Sequence, residues 1–344
     1  LLAMASFFVS YQFIEAAGTL QFDIPVGFFI LLSLYLFYLG LSNPKYFYGF
    51  GVALALGMLT KNVVGLMPVL IIGLFSVFTL NFSYFKQKKF WWGVLLFFII
   101  VIPWHIIETL KLGKAFWDQY LFYHLLRRYS EPLEGSVSNF WFFWNQIKEA
   151  RIMFWLSLVG FIYFLIQAIR AKKNYFYVFL TTLVIFLFFS ASKTKLPAYI
   201  LIIFPYLAIL SGVFLNDLIK KFFKENSIFS KTALVAVVMV FCYFGIKFND
   251  YKLVKQFEQR RLDTRIVGNY LKTRQTNLPV YFYSQVGTSP SIIFYSNRLV
   301  NYLKYPSPEP EDNFLLISEV APNYSGANPI FKTPTQTVYE IKQK

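Results

Sequence analysis

Long apolar runs, separated by short polar or basic connections, make up the first 248 residues of the chain. Roughly 20 apolar residues cross the hydrocarbon core of a bilayer as a helix, so the runs predict membrane spans. The 46–60 and 63–80 pair is short and Gly-rich, which fits either two spans or one broken element. We predict an incomplete span near 1–13 and further spans over 24–42, 46–60, 63–80, 90–107, 152–169, 175–191, 196–215 and 232–248.

The connections between these runs are basic at regular intervals. Alternate connections carry the lysines and arginines, so all of these residues fall on one side of the membrane. The positive-inside rule places that side in the cytoplasm. Two long segments, 105–151 and everything after 249, then face outward. The basic positions are Lys45, then Lys86, Lys88 and Lys89, then Arg170, Lys172 and Lys173, and finally Lys220, Lys221, Lys224 and Lys231.

The composition changes after residue 249 and becomes more polar. A basic helix is predicted over 252–272, strands over 280–283, 314–317 and 337–341, and a second short element over 291–295. The predicted fold class is therefore an all-α multi-spanning membrane protein over 1–248, with a small α/β domain outside the cytoplasm over 249–344. The outer loop 105–151 belongs to the first domain and is expected to hold short helices on the membrane surface.

Composition and charge narrow the class further. Hydrophobic residues make up 57% of the 344 positions and charged residues 15%, which excludes an ordinary soluble fold, a disordered chain or a coiled coil. The net charge of +16 fits cytoplasmic anchoring better than nucleic-acid binding, because the basic residues lie between apolar runs. The single cysteine, Cys242, excludes an intramolecular disulfide.

Acidic residues near the outer face are candidates for chemistry. The sequence has no Gly-rich phosphate loop, no His-Glu-x-x-His and no Gly-x-Ser-x-Gly. Asp23 opens a span two residues before Pro25, where an Asp acts as a helix cap or lines a cavity. Glu15 in the preceding loop is interpreted as a solvated residue.

The outer loop concentrates charge between residues 120 and 135. His124 shares a helical face with Arg127 and Arg128, and Glu131 and Glu134 follow. A guanidinium fork suits a phosphate, so the loop predicts either a specific lipid-phosphate site or a general basic patch against lipid head groups. His124 with an acidic neighbour is a weak metal signal.

Two lysines precede Pro197 at the start of another span. Lys193 and Lys195 lie on the outer side, against the positive-inside bias, so they indicate either snorkelling at the interface or contact with an anion. Lys61 is a similar outward lysine, for which snorkelling is the favoured interpretation.

Taken in order, these motifs resemble a family. Asp-x-Pro opening a span, Leu-Thr-Lys, Pro-Trp-His, the His-x-x-Arg-Arg-Tyr-x-Glu-Pro-Leu-Glu-Gly loop and Ser-Lys-Thr-Lys-Leu-Pro-x-Tyr look like the ArnT-like, protein-mannosyltransferase-related membrane glycosyltransferases. The resemblance covers nearly the whole chain and is most specific in the last two motifs. It implies a type C fold in a bacterial plasma membrane, with the active site facing outward.

The resemblance also implies a reaction. A sugar would move from a polyprenyl-phosphate lipid to a lipid, glycan or protein acceptor, as in the modification of lipid A or another envelope glycan. Asp23 would be a catalytic acid of the cavity, and the lipid phosphate would be held by Arg127, Arg128, Lys193, Lys195 and Tyr199. No cofactor is required, and His124 would mark the family's occasional divalent-metal position.

The resemblance further implies that the principal catalytic carboxylate lies upstream of Leu1, so we expect the chain to be truncated inside its first span. The alternative function is a polyprenyl-linked glycan transporter or flippase, which would use the same phosphate contacts. A transporter should show two corresponding halves, and the sequence shows no internal repeat.

Overall fold

The computed structural model forms two compact units, Leu1–Asn249 and Asp250–Lys344. It describes residues 1–8, 10, 13, 16, 21–133, 139–223, 227–249, 253–274, 276–284, 290–304, 313–322 and 326–342. Glu15 and Glu134 lie outside these residues.

The first unit is entirely helical within the described residues. Its α-helices are α1 (Leu2–Phe8), α2 (Asp23–Gly40), α3 (Tyr46–Lys61), α4 (Met67–Thr79), α5 (Lys88–Leu112), α6 (Lys114–Trp117), α7 (Arg128–Ser130), α8 (Phe142–Lys148), α9 (Ile152–Ile169), α10 (Lys173–Ala191), α11 (Phe204–Phe222) and α12 (Ile228–Asn249). Short 3₁₀ segments cover Asn62–Leu66, Ser83–Lys86 and Pro197–Ile203, and a π-helix covers Asp118–Arg127.

Seven helical stretches in the described part of the chain are long and apolar enough to cross a membrane. This is the architecture of a multi-pass integral membrane protein, as predicted. They are Asp23–Gly40, Tyr46–Thr79, Lys88–Leu112, Ile152–Ile169, Lys173–Ala191, Pro197–Phe222 and Ile228–Gly245.

The Tyr46–Thr79 stretch is a helical hairpin. The backbone turns at Asn62, whose φ is +49°, and a Cβ built on Gly65 would lie 2.2 Å from the carbonyl carbon of Gly57. The backbones of the two arms therefore touch just beyond the turn. At the other end, the ring of Phe37 lies 5.8 Å from Phe47 at the start of α3 and 5.0 Å from Tyr84 after α4. The second arm thus returns to the level at which the first began.

Glycines also bring α3 and α5 into backbone contact. A Cβ on Gly51 would lie 1.9 Å from the carbonyl oxygen of Gly93, and a Cβ on Gly93 would lie 2.1 Å from the carbonyl oxygen of Phe47. Small residues at such crossings permit close van der Waals packing, which drives helix association in lipid.

The second unit is an α/β domain, as predicted. Helix α13 (Leu253–Thr273) and the short α14 (Pro290–Ser296) accompany a five-stranded mixed sheet in the order β2-β1-β3-β5-β4. Val267 and Leu271 of α13 pack with the buried side chains of one sheet face. The strands are β1 (Val280–Ser284), β2 (Val300–Lys304), β3 (Phe314–Ser318), β4 (Ala327–Lys332) and β5 (Thr337–Ile341). Strands β2 and β4 were not predicted from the sequence.

Candidate functional site

The candidate site lies where α2 begins and α3 ends. Asp23 is in the first turn of α2, and Lys61 is the last residue of α3. The two side chains form an ion pair, and Asp23 is only 6% exposed. Asp23 is not the N-cap residue of its helix, because that position is taken by Phe22. Of the two predictions for Asp23, the structure therefore shows a buried carboxylate held by a cation and not a helix cap.

Lys61 connects Asp23 to the motif around Pro197. Its Nζ atom lies 4.6 Å from the centre of the Tyr199 ring. Arg128 donates a hydrogen bond from Nη1 to the hydroxyl of Tyr199. Asp23, Lys61, Tyr199 and Arg128 thus form one chain of contacts, called here the polar cluster. It joins two cations, a phenol and a carboxylate from four separate sequence motifs.

Arg128 is positioned through its backbone as well as its side chain. The backbone N–H of Thr194 donates to the carbonyl of Arg128 at 2.9 Å, and the N–H of Lys193 donates to that of Tyr129 at 3.0 Å. The hydroxyl of Thr194 donates to the carbonyl of Glu131 at 2.6 Å. The segment 192–194 is therefore bound alongside the outer loop in a ladder-like pairing, which fixes Arg128 relative to Tyr199.

The structure does not bring the other predicted phosphate ligands into the polar cluster. Arg127 is exposed and forms an ion pair with Glu131 at 3.2 Å, one helical turn away. Lys193 contributes its backbone to the pairing described above, while its side chain is exposed. Charge and motif together do not tell which face of an irregular segment a side chain takes.

Lys195 has a different role from the predicted one. It is only 3% exposed, and its Nζ atom donates to the carbonyl of Ser190 at 2.7 Å and to that of Ser192. Burial lowers the pKa of its ammonium group. The ammonium also faces the ring of Phe143, at 5.7 Å from the ring centre. Lys195 thus stabilises the turn that precedes Pro197, because its ammonium group donates hydrogen bonds to backbone carbonyls there.

His124 does not mark a metal site among the described residues. Its side chain is exposed, and its ring packs against Tyr123 at 5.1 Å. No group of three His, Cys, Asp or Glu side chains that could hold a metal ion occurs in the ranges that the structure describes. Glu134, a predicted companion of His124, lies outside those ranges. The divalent-metal position at His124 therefore stays a prediction.

An aromatic group adjoins the polar cluster. Trp104, His105, Phe116, Trp117 and Tyr120 pack with ring centres 4.8–6.3 Å apart in the contacts among them. The side chain of Asn62, next to Lys61, donates to the backbone carbonyl of Tyr120. This hydrogen bond ties the π-helix to the turn of the helical hairpin.

His105 is held by a backbone carbonyl within this group. Its Nδ1 atom lies 2.9 Å from the carbonyl oxygen of Val101. Because a carbonyl only accepts, Nδ1 is the donor of this hydrogen bond. Nε2 and the Tyr120 hydroxyl are buried and have no hydrogen-bond partner in the described part of the chain. Burial also raises the pKa of Tyr120 to about 12, so its phenol stays neutral.

Beside the aromatic group lies an apolar groove of about 840 Å³, bordered by α3, α4 and α5. Its lining runs along α5 from Phe90 to Thr109, and His105 and Trp117 lie at one end. At about 1.5 Å per residue, the 19 steps from Phe90 to Thr109 correspond to roughly 28 Å. This length is close to the roughly 30 Å thickness of a bilayer's hydrocarbon core.

The fold matches solved structures. The chain superposes on the crystal structure of ArnT from Cupriavidus metallidurans bound to undecaprenyl phosphate with a TM-score of 0.73, over 98% of this chain and 78% of that one, at 15% sequence identity. The apo structure of the same protein gives a TM-score of 0.71. The chain has the fold of these ArnT structures.

Sequence comparisons agree with this ArnT-like fold. The family model of the dolichyl-phosphate-mannose-protein mannosyltransferases matches residues 1–107. An undecaprenyl phosphate-alpha-4-amino-4-deoxy-L-arabinose arabinosyl transferase of Proteus mirabilis is 28% identical over 222 residues, which are 61% of this chain and 39% of that protein. An uncharacterized protein of Aquifex aeolicus is 27% identical over 278 residues, 81% of this chain and 58% of that one. The chain thus spans about half the length of these curated relatives. The predicted resemblance is confirmed.

The sequence interpretation missed the part that Lys61 and Asn62 take in the candidate site. Lys61 was assigned to snorkelling because a single outward lysine at a span end carries little information. The available signal was the neighbouring Asn62, since a polar pair at the turn between two apolar helices must find partners at membrane depth.

Proposed function

We propose that this protein is a membrane glycosyltransferase that moves a sugar from a polyprenyl-phosphate lipid to an acceptor hydroxyl. The polar cluster carries the proposal, because it presents Arg128 and Lys61 together with the Tyr199 hydroxyl at one end of the helices. The likeness to an ArnT structure bound to undecaprenyl phosphate supports the choice of lipid.

The cations of the polar cluster match the chemistry of the leaving group. The acceptor oxygen attacks the anomeric carbon, the bond from that carbon to the phosphate oxygen breaks, and the electron pair leaves with the lipid phosphate. Negative charge grows on that phosphate in the transition state, where prepositioned donors act most strongly. Arg128 offers a planar fork and Lys61 a point charge to the same anion.

Asp23 orients Lys61 in this proposal. Its carboxylate is already engaged by the Lys61 ammonium and is buried beside it. We therefore assign Asp23 as a positioning residue, and the acceptor's proton goes to a carboxylate outside the polar cluster, as the resemblance implies.

The apolar groove provides room for the polyprenyl tail. Its length matches the hydrocarbon core, and its His105 end adjoins Tyr120, whose carbonyl binds Asn62 next to Lys61. A lipid lying in the groove would thus carry its phosphate toward the polar cluster. The alternation of basic connections supports an outward-facing site in a bacterial plasma membrane, with the C-terminal domain on the same outer side.

Transfer from a purified polyprenyl-phosphate sugar in detergent tests the proposal. Detergent micelles have no second compartment, so transport cannot register and any new glycosidic bond reports catalysis. The full-length protein should form product, and Arg128→Gln should abolish most of it. If no donor sugar is transferred while the protein still binds polyprenyl phosphate, the transporter interpretation replaces the transferase.

A further inference from the structure

A second basic concavity lies in the C-terminal unit. It has a volume of about 500 Å³ and is bordered by the end of α13, the connection to β1 and the turn before β2. This volume falls within the roughly 300–1,000 Å³ range of small-ligand pockets. Its lining residues are Leu271, Lys272, Arg274, Thr276, Asn277 and Arg298.

Arg298 is the most informative residue of this concavity. Its Nη2 atom donates to the carbonyls of Thr276 at 2.9 Å and Leu278 at 2.7 Å, so its guanidinium is fixed in place. Its Nη1 atom is buried and has no hydrogen-bond partner within the described residues. A buried donor left unsatisfied on a charged group is costly, and such groups in native structures call for an explanation. Arg298 also lines the concavity, so its positive charge acts on any oxoanion bound there.

The neighbouring charges favour the same kind of ligand. Arg274 is held by the carboxylate of Glu340 at 2.9 Å and by the hydroxyl of Tyr270 at 2.8 Å. Glu340 therefore balances Arg274, while Lys272 is exposed at the rim beside Arg298. Besides the Arg274–Glu340 pair, the concavity is thus lined by two cationic side chains, those of Lys272 and Arg298.

We propose that this concavity binds a phosphate-type oxoanion carried on a larger polar molecule. A guanidinium fork beside an ammonium is the usual pairing for a phosphate. The volume exceeds that of one anion several-fold, since one water occupies about 30 Å³ of liquid, and Thr276 and Asn277 offer polar groups to the remaining part. The concavity shares no residue with the polar cluster, so the proposal stands whether or not the proposed transferase activity does.

Calorimetric titration of the full chain in detergent tests this site. The probes are inorganic phosphate, glucose 1-phosphate, glucose and acetate, each at constant ionic strength. Glucose 1-phosphate should bind more tightly than inorganic phosphate, and glucose and acetate should not compete. Equal affinity for the two phosphates would identify a free oxoanion as the ligand. It would overturn the proposal that the phosphate is carried on a larger molecule. Equal affinity for acetate would overturn the phosphate assignment.

Variants separate this site from the general positive charge of the domain. Arg298→Gln should weaken phosphate binding by about ten- to a hundredfold, as expected for a charge-assisted contact. Arg261→Gln removes the same charge from an exposed position on α13 outside the concavity and should leave the affinity unchanged. If Arg298→Gln disturbs folding, the test uses Lys272→Gln instead, since Lys272 is exposed. This variant should weaken phosphate binding several-fold. Equal losses in Lys272→Gln and Arg261→Gln, or no binding by the unaltered protein, would overturn the proposal.

Discussion

Asp23 and Lys61 form a partly buried ion pair across 38 positions of sequence, and it joins the first turn of α2 to the last residue of α3. Removing Lys61 leaves the buried Asp23 carboxylate without its counter-charge, at a cost of up to about 3 kcal/mol. The two residues are therefore expected to act as a unit.

A double-mutant cycle measures that coupling. Asp23→Asn and Lys61→Met should each reduce sugar transfer strongly, and the double variant should be no worse than the poorer single variant, because both remove the same positioned cation. Glu131→Gln, which breaks the exposed pair with Arg127, is the matched control and should cost under about 1 kcal/mol. If Asp23 were instead the proton acceptor, Asp23→Asn would remove the acid limb of the pH–rate profile while Lys61→Met kept it.

The adjacent arginines provide a second test. Arg128→Gln should weaken binding of polyprenyl phosphate by about ten- to a hundredfold, since the contact to the leaving phosphate is charge-assisted. Arg127→Gln makes the same change in charge and size at the adjacent position. The Arg127 side chain, however, is exposed and paired with Glu131, so this variant should keep its affinity. Measured affinities should therefore differ between two neighbouring substitutions. Equal effects would indicate a general basic patch against lipid head groups.

The orientation in the membrane can be checked with single cysteines. Cys242 is the sole native cysteine, so Cys242→Ser gives a clean background. Lys193→Cys should react with a membrane-impermeant maleimide in intact spheroplasts, because the 192–195 loop is expected to face outward. Lys172→Cys, in a connection predicted to be cytoplasmic, should react only after permeabilisation. The opposite pattern would invert the topology.

Asp263 should make the stability of the C-terminal domain depend on pH. It is fully buried and accepts hydrogen bonds from the Thr335 N–H at 2.8 Å, the Thr335 hydroxyl at 2.7 Å and the Gln259 amide at 2.9 Å. Burial alone would raise its pKa, but these hydrogen bonds outweigh burial and hold the pKa below its ordinary value. The stabilisation is therefore complete above the unfolded pKa near about 3.9 and is lost as the pH falls through the lower folded value.

Hydrogen exchange of the full chain, followed from about pH 6 to about pH 2, measures this dependence. Asp263→Asn should destabilise the domain by about 1–3 kcal/mol, because the NH₂ group of the amide would face the N–H and O–H donors that the carboxylate now accepts. The variant should also lose most of the fall in stability between about pH 6 and about pH 2. Glu319→Gln, which removes a partly exposed partner of Arg260, should keep that transition. An unchanged transition in Asp263→Asn would assign it to other carboxylates.

The membrane helices could be predicted from the sequence because lipid leaves the backbone few alternatives. In hydrocarbon every backbone polar group must bond within the helix, so hydropathy and length suffice, and the predicted 152–169 span coincides with Ile152–Ile169. Strands β2 and β4 could not be predicted this way. They are the two edges of the sheet, where Leu303 follows Tyr302 out of alternation in β2 and Pro329 interrupts β4. Edge strands commonly carry polar residues and proline.

The members of the polar cluster were predictable only in part. Arg128 and Tyr199 belong to the specific motifs of the resemblance, while the choice of Arg128 over Arg127 depends on the backbone pairing with residues 192–194. Likewise, the Lys195 ammonium was predicted to meet an anion, and it turns inward to the Ser190 and Ser192 carbonyls. Both outcomes depend on packing between segments that are distant in sequence.

The pairing between Thr194 and the carbonyls of Arg128 and Glu131 uses main-chain atoms and a single hydroxyl. The exposed side chains on that ladder, those of Tyr129, Ser130 and Lys193, are not needed for it. These three exposed side chains can therefore change during evolution without disturbing the backbone pairing that positions Arg128. Such changes would alter the surface that an incoming molecule meets. The loop can thus vary in sequence at these three positions while its backbone geometry stays constant. They are the first positions to substitute in an attempt to alter the acceptor.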